Sequence, residues 1–265
     1  MRMFTMLVEK GTLNAVLAGS RMQYREARGD WFAPVLCVLQ PVALTVTLLE
    51  GHHTAPDQRI PVLVGAVLTS LWSALVWGAG GMLRRDQYQG TLGAVITAGP
   101  YSAGLVLLGR ALGAAARNVM VVCLTSVALA AYLGIMPSLG GLPMLFLGLF
   151  LVLATGSVIG LLLSCLFLVT RHSQHLSGAL LYPVHLLGGL VVPLSMLPAW
   201  LRWPSSLFSL HWIKEILVNA LSGGVLAGEA LVGSVALTTV YAVAALRMFS
   251  HIQQRSRRGE GLDFQ

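Results

Sequence analysis

Long apolar stretches alternate with short polar ones along the chain, near 31–49, 60–83, 111–136, 143–170, 176–197 and 225–249. Each is close to the roughly 20 helical residues that cross a hydrocarbon core. Backbone groups in lipid must be satisfied within their own segment, so the pattern predicts an all-α membrane protein with six transmembrane helices. Three polar-to-amphipathic segments stand apart from these spans. Over 11–30, Leu13, Val16, Leu17 and Tyr24 share one side while Arg21, Arg25 and Arg28 recur at helical spacing on another, which predicts an interfacial helix before the first span. Over 84–100 the chain is polar and punctuated by glycine. Over 198–222, Trp200, Trp203 and Trp212 suit the membrane interface, where an indole is half dry and half wet, and predict outer re-entrant helices.

Composition supports the membrane reading: 56% of residues are hydrophobic and 10% charged, against about 25% charged in a soluble domain. Mean hydropathy is +0.77. The net charge of +7 is explained by topology. An even number of spans puts both termini on one side, with Arg2, Lys10, Arg21, Arg25, Arg28, Arg84, Arg85, Arg110, Arg117, Arg171, Arg247, Arg255, Arg257 and Arg258; only Arg59, Arg202 and Lys214 lie opposite. Basic residues resist translocation, so both termini are expected in the cytoplasm, with the basic side against anionic lipid heads. No basic-aromatic motif points to nucleic acid. Met1 to Lys10 is too short and charged for the apolar core of a cleaved signal, so the first span is expected to direct insertion. Frequent Ala, Gly, Leu and Arg suit a GC-rich bacterial genome, hence a bacterial cytoplasmic membrane.

Little catalytic chemistry is visible. There is no P-loop pattern, so ATP hydrolysis, if used, belongs to another polypeptide. The acidic residues sit at span edges rather than inside, which weighs against an ion-coupled carrier. Cys37, Cys123 and Cys165 are odd in number, lie within spans and lack metal-ligand spacing, so they read as packing residues. His172 and His175 have no cysteine or carboxylate beside them to complete a metal site. Ser157 lacks the serine-elbow spacing. Pro41 interrupts the first span, and Pro183 and Pro193 the fifth, each removing a backbone donor. Gly109 with Gly113, and Gly156 with Gly160, have the spacing of close helix contacts.

The segment from Arg84 to Arg110 differs in kind. Leu92, Val95 and Ile96 form an i, i+3, i+4 apolar face on a short helix that opens after Gly90-Thr91 and stops at Gly99-Pro100. Such a helix either plugs a groove on a partner or packs on the inner membrane surface. Six spans, the surface helix, this loop with Arg85-Asp86, Gly90-Thr91-Leu92 and Gly109-Arg110, and the outer Pro193–Leu201 run resemble, in that order, the ABC-2 type permeases, the membrane subunits of type-2 ABC exporters. The resemblance covers nearly the whole chain.

It implies a single domain over 1–265 whose 84–100 region is a coupling helix seated in a cleft of an ATPase subunit, a role carried to Asp86, Gly90, Thr91, Leu92, Val95 and Ile96. The chain departs from the family's pattern at Gly93, at Thr97-Ala98-Gly99-Pro100, at Ser209-Leu210 and at Asn219. Two ATPase subunits, binding ATP and Mg, and a second permease, identical or related, are implied partners; no cofactor is expected in this chain. The implied path between two permeases runs along the first, second and fifth spans, with Gln40, Thr45, Thr47, Trp72, Ser73, Trp77, Tyr182 and His185 as candidate lining. That lining suits a hydrophobic or amphipathic drug, secondary metabolite, peptide or lipid-linked molecule moved by alternating access. A non-transporting membrane scaffold and an ion-coupled carrier are the alternatives.

Overall fold

The computed structural model describes residues 2–29, 32–50, 58–93, 100–135, 139–170, 173–191 and 198–257. Among them every regular element is helical. In chain order these are α1 (Arg2–Glu26), a 3-10 turn (Ala27–Gly29), α2 (Phe32–Glu50), α3 (Arg59–Ala74) running through a π-turn (Leu75–Ala79) into α4 (Met82–Tyr88), and α5 (Pro100–Tyr132). After a 3-10 turn at Leu139–Gly141 come α6 (Leu142–Val169), α7 (Ser173–Leu187), α8 (Ala199–Ser205), α9 (Ser209–Ser222) and α10 (Gly228–Arg257).

Among the described residues, four helices are long and apolar enough to cross a membrane: Arg59–Tyr88, Ala103–Tyr132, Leu142–Val169 and Gly228–Arg255. Pro34–Leu49 and Gly178–Leu187 are shorter apolar helices. The predicted fifth span, 176–197, is therefore cut back: α7 stops at Leu187, where Gly188 and the left-handed Gly189 (φ 65°) end the helix. Pro183 lies inside α7, and Pro193 falls outside the described residues. The predicted 198–222 segment is two helices, α8 and α9.

Of the three apolar clusters among the described residues, two are extensive. The larger joins α3, α6 and α9 through Leu68, Leu71, Trp72, Leu151, Ile159, Leu163, Ile213 and Ile216. The smaller lies at the end carrying the α4–α5 connection and gathers Met82, Leu83, Leu92, Leu107, Leu168, Phe249 and Ile252. Lipid tails are as apolar as these side chains, so within the membrane the clusters hold the helices through close van der Waals packing rather than through removal from water. Polar links pin the register: Thr155 and Thr238 hydroxyls are 2.7 Å apart between α6 and α10, and the Leu83 N–H donates to Ser164 Oγ at 3.1 Å.

Both small-residue pairs lie at helix contacts. Gly156 and Gly160 face Leu75 and Ala79 of the π-turn, and Gly109 and Gly113 face Val16 and Ser20 of α1. The α1–α5 crossing is so tight that a Cβ on Gly109 would overlap the Val16 carbonyl and one on Gly19 the Val106 carbonyl. Ser20 Oγ donates to the Gly109 carbonyl at 2.8 Å across the same seam. On α1, Leu13, Leu17 and Tyr24 remain exposed, whereas Val16 turns to α5.

Candidate coupling and transport sites

The base of the 84–100 segment is a buried ion cluster. Arg110, on α5, is fully enclosed, and its guanidinium holds Asp86 of α4 with both arms, Nη1–Oδ2 at 2.5 Å and Nη2–Oδ1 at 3.0 Å. The same Nη2 donates to Glu26 Oε2 at 2.9 Å, and Nε reaches Gln23 Oε1 at 3.4 Å. One guanidinium therefore ties α1, α4 and α5 together, using the planar fork that suits two-armed carboxylate binding. Asp86, 1% exposed, is spent inside this cluster rather than offered on the loop surface.

α4 ends in a glycine cap. Gly90 adopts φ 72°, its N–H bonds the Gln87 carbonyl at 3.2 Å, and the Thr91 N–H bonds the Asp86 carbonyl at 2.9 Å. These two bonds satisfy carbonyls at the helix end and turn the chain sharply. Thr91 Oγ1 adds a 3.3 Å bond to the Asp86 carbonyl. Beyond the turn, Leu92 is buried in the smaller apolar cluster while Thr91 and Gly93 are exposed. Val95 and Ile96 lie outside the described residues. A second arginine braces the same end: Arg84 Nη1 donates to the Phe167 and Thr170 carbonyls at 3.2 and 2.7 Å. It thereby caps the end of α6, where a cation is favoured.

The candidate lining residues divide. Gln40 and Ser73 come together between α2 and α3, Nε2 donating to Oγ at 3.0 Å. Trp72 and Thr45 are buried, and neither the Trp72 indole N–H nor the Thr45 hydroxyl has a partner among the described residues. His185 is half-buried on α7, its Nε2 also without a partner. Thr47, Trp77 and Tyr182 are exposed, and Thr47 turns its hydroxyl back to its own helix. The sequence could not have indicated the Arg110–Asp86–Glu26 cluster, because its members are 24 and 84 residues apart and only folding brings them together.

This arrangement of interlocked apolar helices and a short polar projection can be set against known families. A profile of the ABC-2 type transporters matches residues 15–221. The chain belongs to the ABC-2 type transporter family. No curated protein matches it. The matched region takes in the second half of α1, the ion cluster, the π-turn and nearly all of α9, so it is the membrane domain of an ABC-2 transporter that these contacts assemble. Such a domain is a membrane-embedded permease rather than the ATPase.

α9 of this ABC-2 permease carries a further buried charge. Lys214 donates to the Gly189 carbonyl just past the end of α7. Burial pushes its ammonium down from 10.5 to about 8. His211, one turn before Glu215 and 3.5 Å from it, is lowered by the same cause, with Glu215 opposing.

Proposed function

We propose that this ABC-2 permease is the translocating subunit of an ATP-driven exporter of hydrophobic or amphipathic molecules: drugs, secondary metabolites, peptides or lipid-linked compounds. It works as one of two permeases, identical or related, over two ATPase subunits that bind ATP and Mg. It crosses a bacterial cytoplasmic membrane six times with both termini inside, α1 lying along the inner interface and α8–α9 dipping into the outer one. The two short apolar helices supply the first and fifth spans.

The observation that carries this reading is the built base of the 84–100 loop. A segment meant only to connect two spans has no use for a fully enclosed arginine gripping carboxylates from two other helices. Such a cluster makes α4 a rigid post. Movement of an ATPase against the exposed turn at Thr91–Gly93 reaches α1 and α5 through Arg110 and α3 through the continuous α3–α4 unit. ATP binding then favours whichever permease conformation gives the ATPases their tighter closure, and transport follows from that differential affinity. The Gln40–Ser73 pair and the unpartnered groups of Trp72 and His185 give the α2, α3 and α7 surface a few hydrogen-bonding points within an apolar lining, as an amphipathic cargo requires.

The test is co-purification with the ATPase subunit encoded beside the chain, and ATP hydrolysis with candidate cargo. Leu92 is a packing residue, so its substitution would report on folding; Gly93→Asp and Ile96→Asp are the informative variants. Retained folding with lost ATPase association supports coupling through this loop. Undiminished association in both variants removes it. Persistent transport driven by an ion gradient without any ATPase would favour a carrier instead.

A further inference from the structure

At the end of the bundle opposite the ion cluster, the last turns of α2 and α5 and the first of α3 enclose a pocket of about 300 Å³ lined by Thr45, Val46, Leu49, Arg59, Leu129, Tyr132 and Leu133. Three features of it call for a ligand. Thr45 is 1% exposed, yet its hydroxyl has no partner among the described residues, whereas the hydroxyls of Thr47, Thr69 and Ser70 on α2 and α3 all bond the carbonyl of the preceding turn. A buried hydroxyl without a bond is costly to retain. Arg59 is exposed and makes no ion pair among the described residues, and no carboxylate among them lines the pocket. Tyr132 stands at its edge, 79% exposed.

We infer that this pocket binds an anionic phospholipid from the leaflet at that end of the helices. The parts are stacked in the order of a lipid's own chemistry. Arg59 begins its helix, at headgroup depth, where a guanidinium grips a phosphate with two parallel bonds. Tyr132 ends α5 at the same level, the depth that tyrosine favours. The Thr45 hydroxyl, more than a helical turn before the end of α2, is placed to donate to an ester carbonyl below the phosphate. Val46, Leu49, Leu129 and Leu133 supply apolar walls for the start of an acyl chain. A small soluble anion would use Arg59 alone and leave those walls wet. The inference needs only that the chain is embedded in a membrane, so it stands or falls apart from the coupling assignment.

The experiment titrates the purified detergent-solubilised complex with dioleoylphosphatidylglycerol and with dioleoylphosphatidylcholine, reading bound lipid by native mass spectrometry. Both lipids offer Arg59 a phosphate, but in phosphatidylcholine the choline cation offsets that charge and repels the guanidinium, so the wild type is expected to prefer the anionic lipid about 10-fold. Arg59→Gln, at an exposed position that folding tolerates, is expected to abolish the preference, and Arg59→Lys to keep part of it. Thr45→Val, nearly isosteric, is expected to weaken both lipids about threefold. Glycerol 3-phosphate is expected not to displace bound lipid. Equal affinity of the wild type for the two lipids, an unchanged preference in Arg59→Gln, or displacement by glycerol 3-phosphate would each overturn the assignment, the last by showing that an anion without a chain suffices.

Discussion

Replacing Arg110 by methionine probes the ion cluster most sharply. The side chain is fully enclosed and the Asp86 it grips is 1% exposed, while Glu26 keeps 24% of its side chain in contact with solvent. With the guanidinium gone, Asp86 is left as a buried carboxylate whose only cation has been removed, and Glu26 repels it. Breaking a buried pair from one side costs about 3–5 kcal/mol. Asp86→Asn is milder, because Arg110 keeps Glu26 and Gln23 and an amide still accepts a bond; about 1–3 kcal/mol is expected. The double variant Arg110→Met with Asp86→Leu removes the stranded charge along with its partner and should be more stable than Arg110→Met alone. Reversible unfolding of the purified protein in mixed micelles, followed by tryptophan fluorescence, gives all three values. If Arg110→Met lies within about 0.5 kcal/mol of the wild type, the range of a surface substitution, or if the double variant is no better than the single, the cluster does not carry the load assigned to it.

Other consequences can be checked on the same preparation. Gly109→Ala pushes a methyl into the Val16 carbonyl and should cost about 1–3 kcal/mol by overpacking, with α1 becoming more sensitive to protease. Gly90→Ala, at φ 72°, should cost about 1 kcal/mol from left-handed strain while leaving lipid binding unchanged. For Lys214, burial lowers the folded-state value to about 8 from 10.5, so the unfolded chain holds more protons between those limits. Thermal stability contributed at this site should be flat below pH 8 and rise with pH from 8 toward 10.5. The Gly189 bond persists through this window because a neutral amine still donates, and Lys214→Met should flatten the rise.

How much of this was visible in the sequence depends on how local each cause is. The fourth apolar stretch, 143–170, matches α6 at Leu142–Val169 because nothing inside it competes with the apolar run. The third was expected to begin at 111, since an arginine normally marks a membrane boundary, yet α5 begins at Pro100 and runs straight through Arg110. Arginine is itself a good helix former, and its buried charge is met by Asp86 and Glu26 from other helices, a pairing with no local signature. The fifth stretch failed in the opposite direction: its hydropathy continues past Leu187, but Gly188–Gly189 allow the backbone to turn, and conformation overrode composition. The segment proposed for coupling stands out in the sequence by its glycines and polar run. That Asp86 and Leu92 face inward does not, because an aspartate and a leucine on a loop look alike whether they serve a partner or the protein's own core. The pocket at Thr45 joins three helix ends distant in sequence and was equally invisible.

If the 84–100 loop meets an ATPase subunit, as proposed, Gly93 lies where the contact can be trapped. It is exposed, and a Cβ there would touch nothing within 4 Å, so Gly93→Cys should fold normally. Cys37 and Cys165 are buried and Cys123 partly so, which leaves the introduced thiol as the accessible one. Membranes containing the chain and its co-expressed ATPase, treated with a short thiol-to-amine cross-linker, are predicted to give a permease–ATPase adduct from Gly93→Cys, altered in yield by ATP. Val225→Cys, 87% exposed at the opposite end of the bundle, should give none. An adduct from Val225→Cys but not from Gly93→Cys, or from neither while the ATPase co-purifies, would contradict the account.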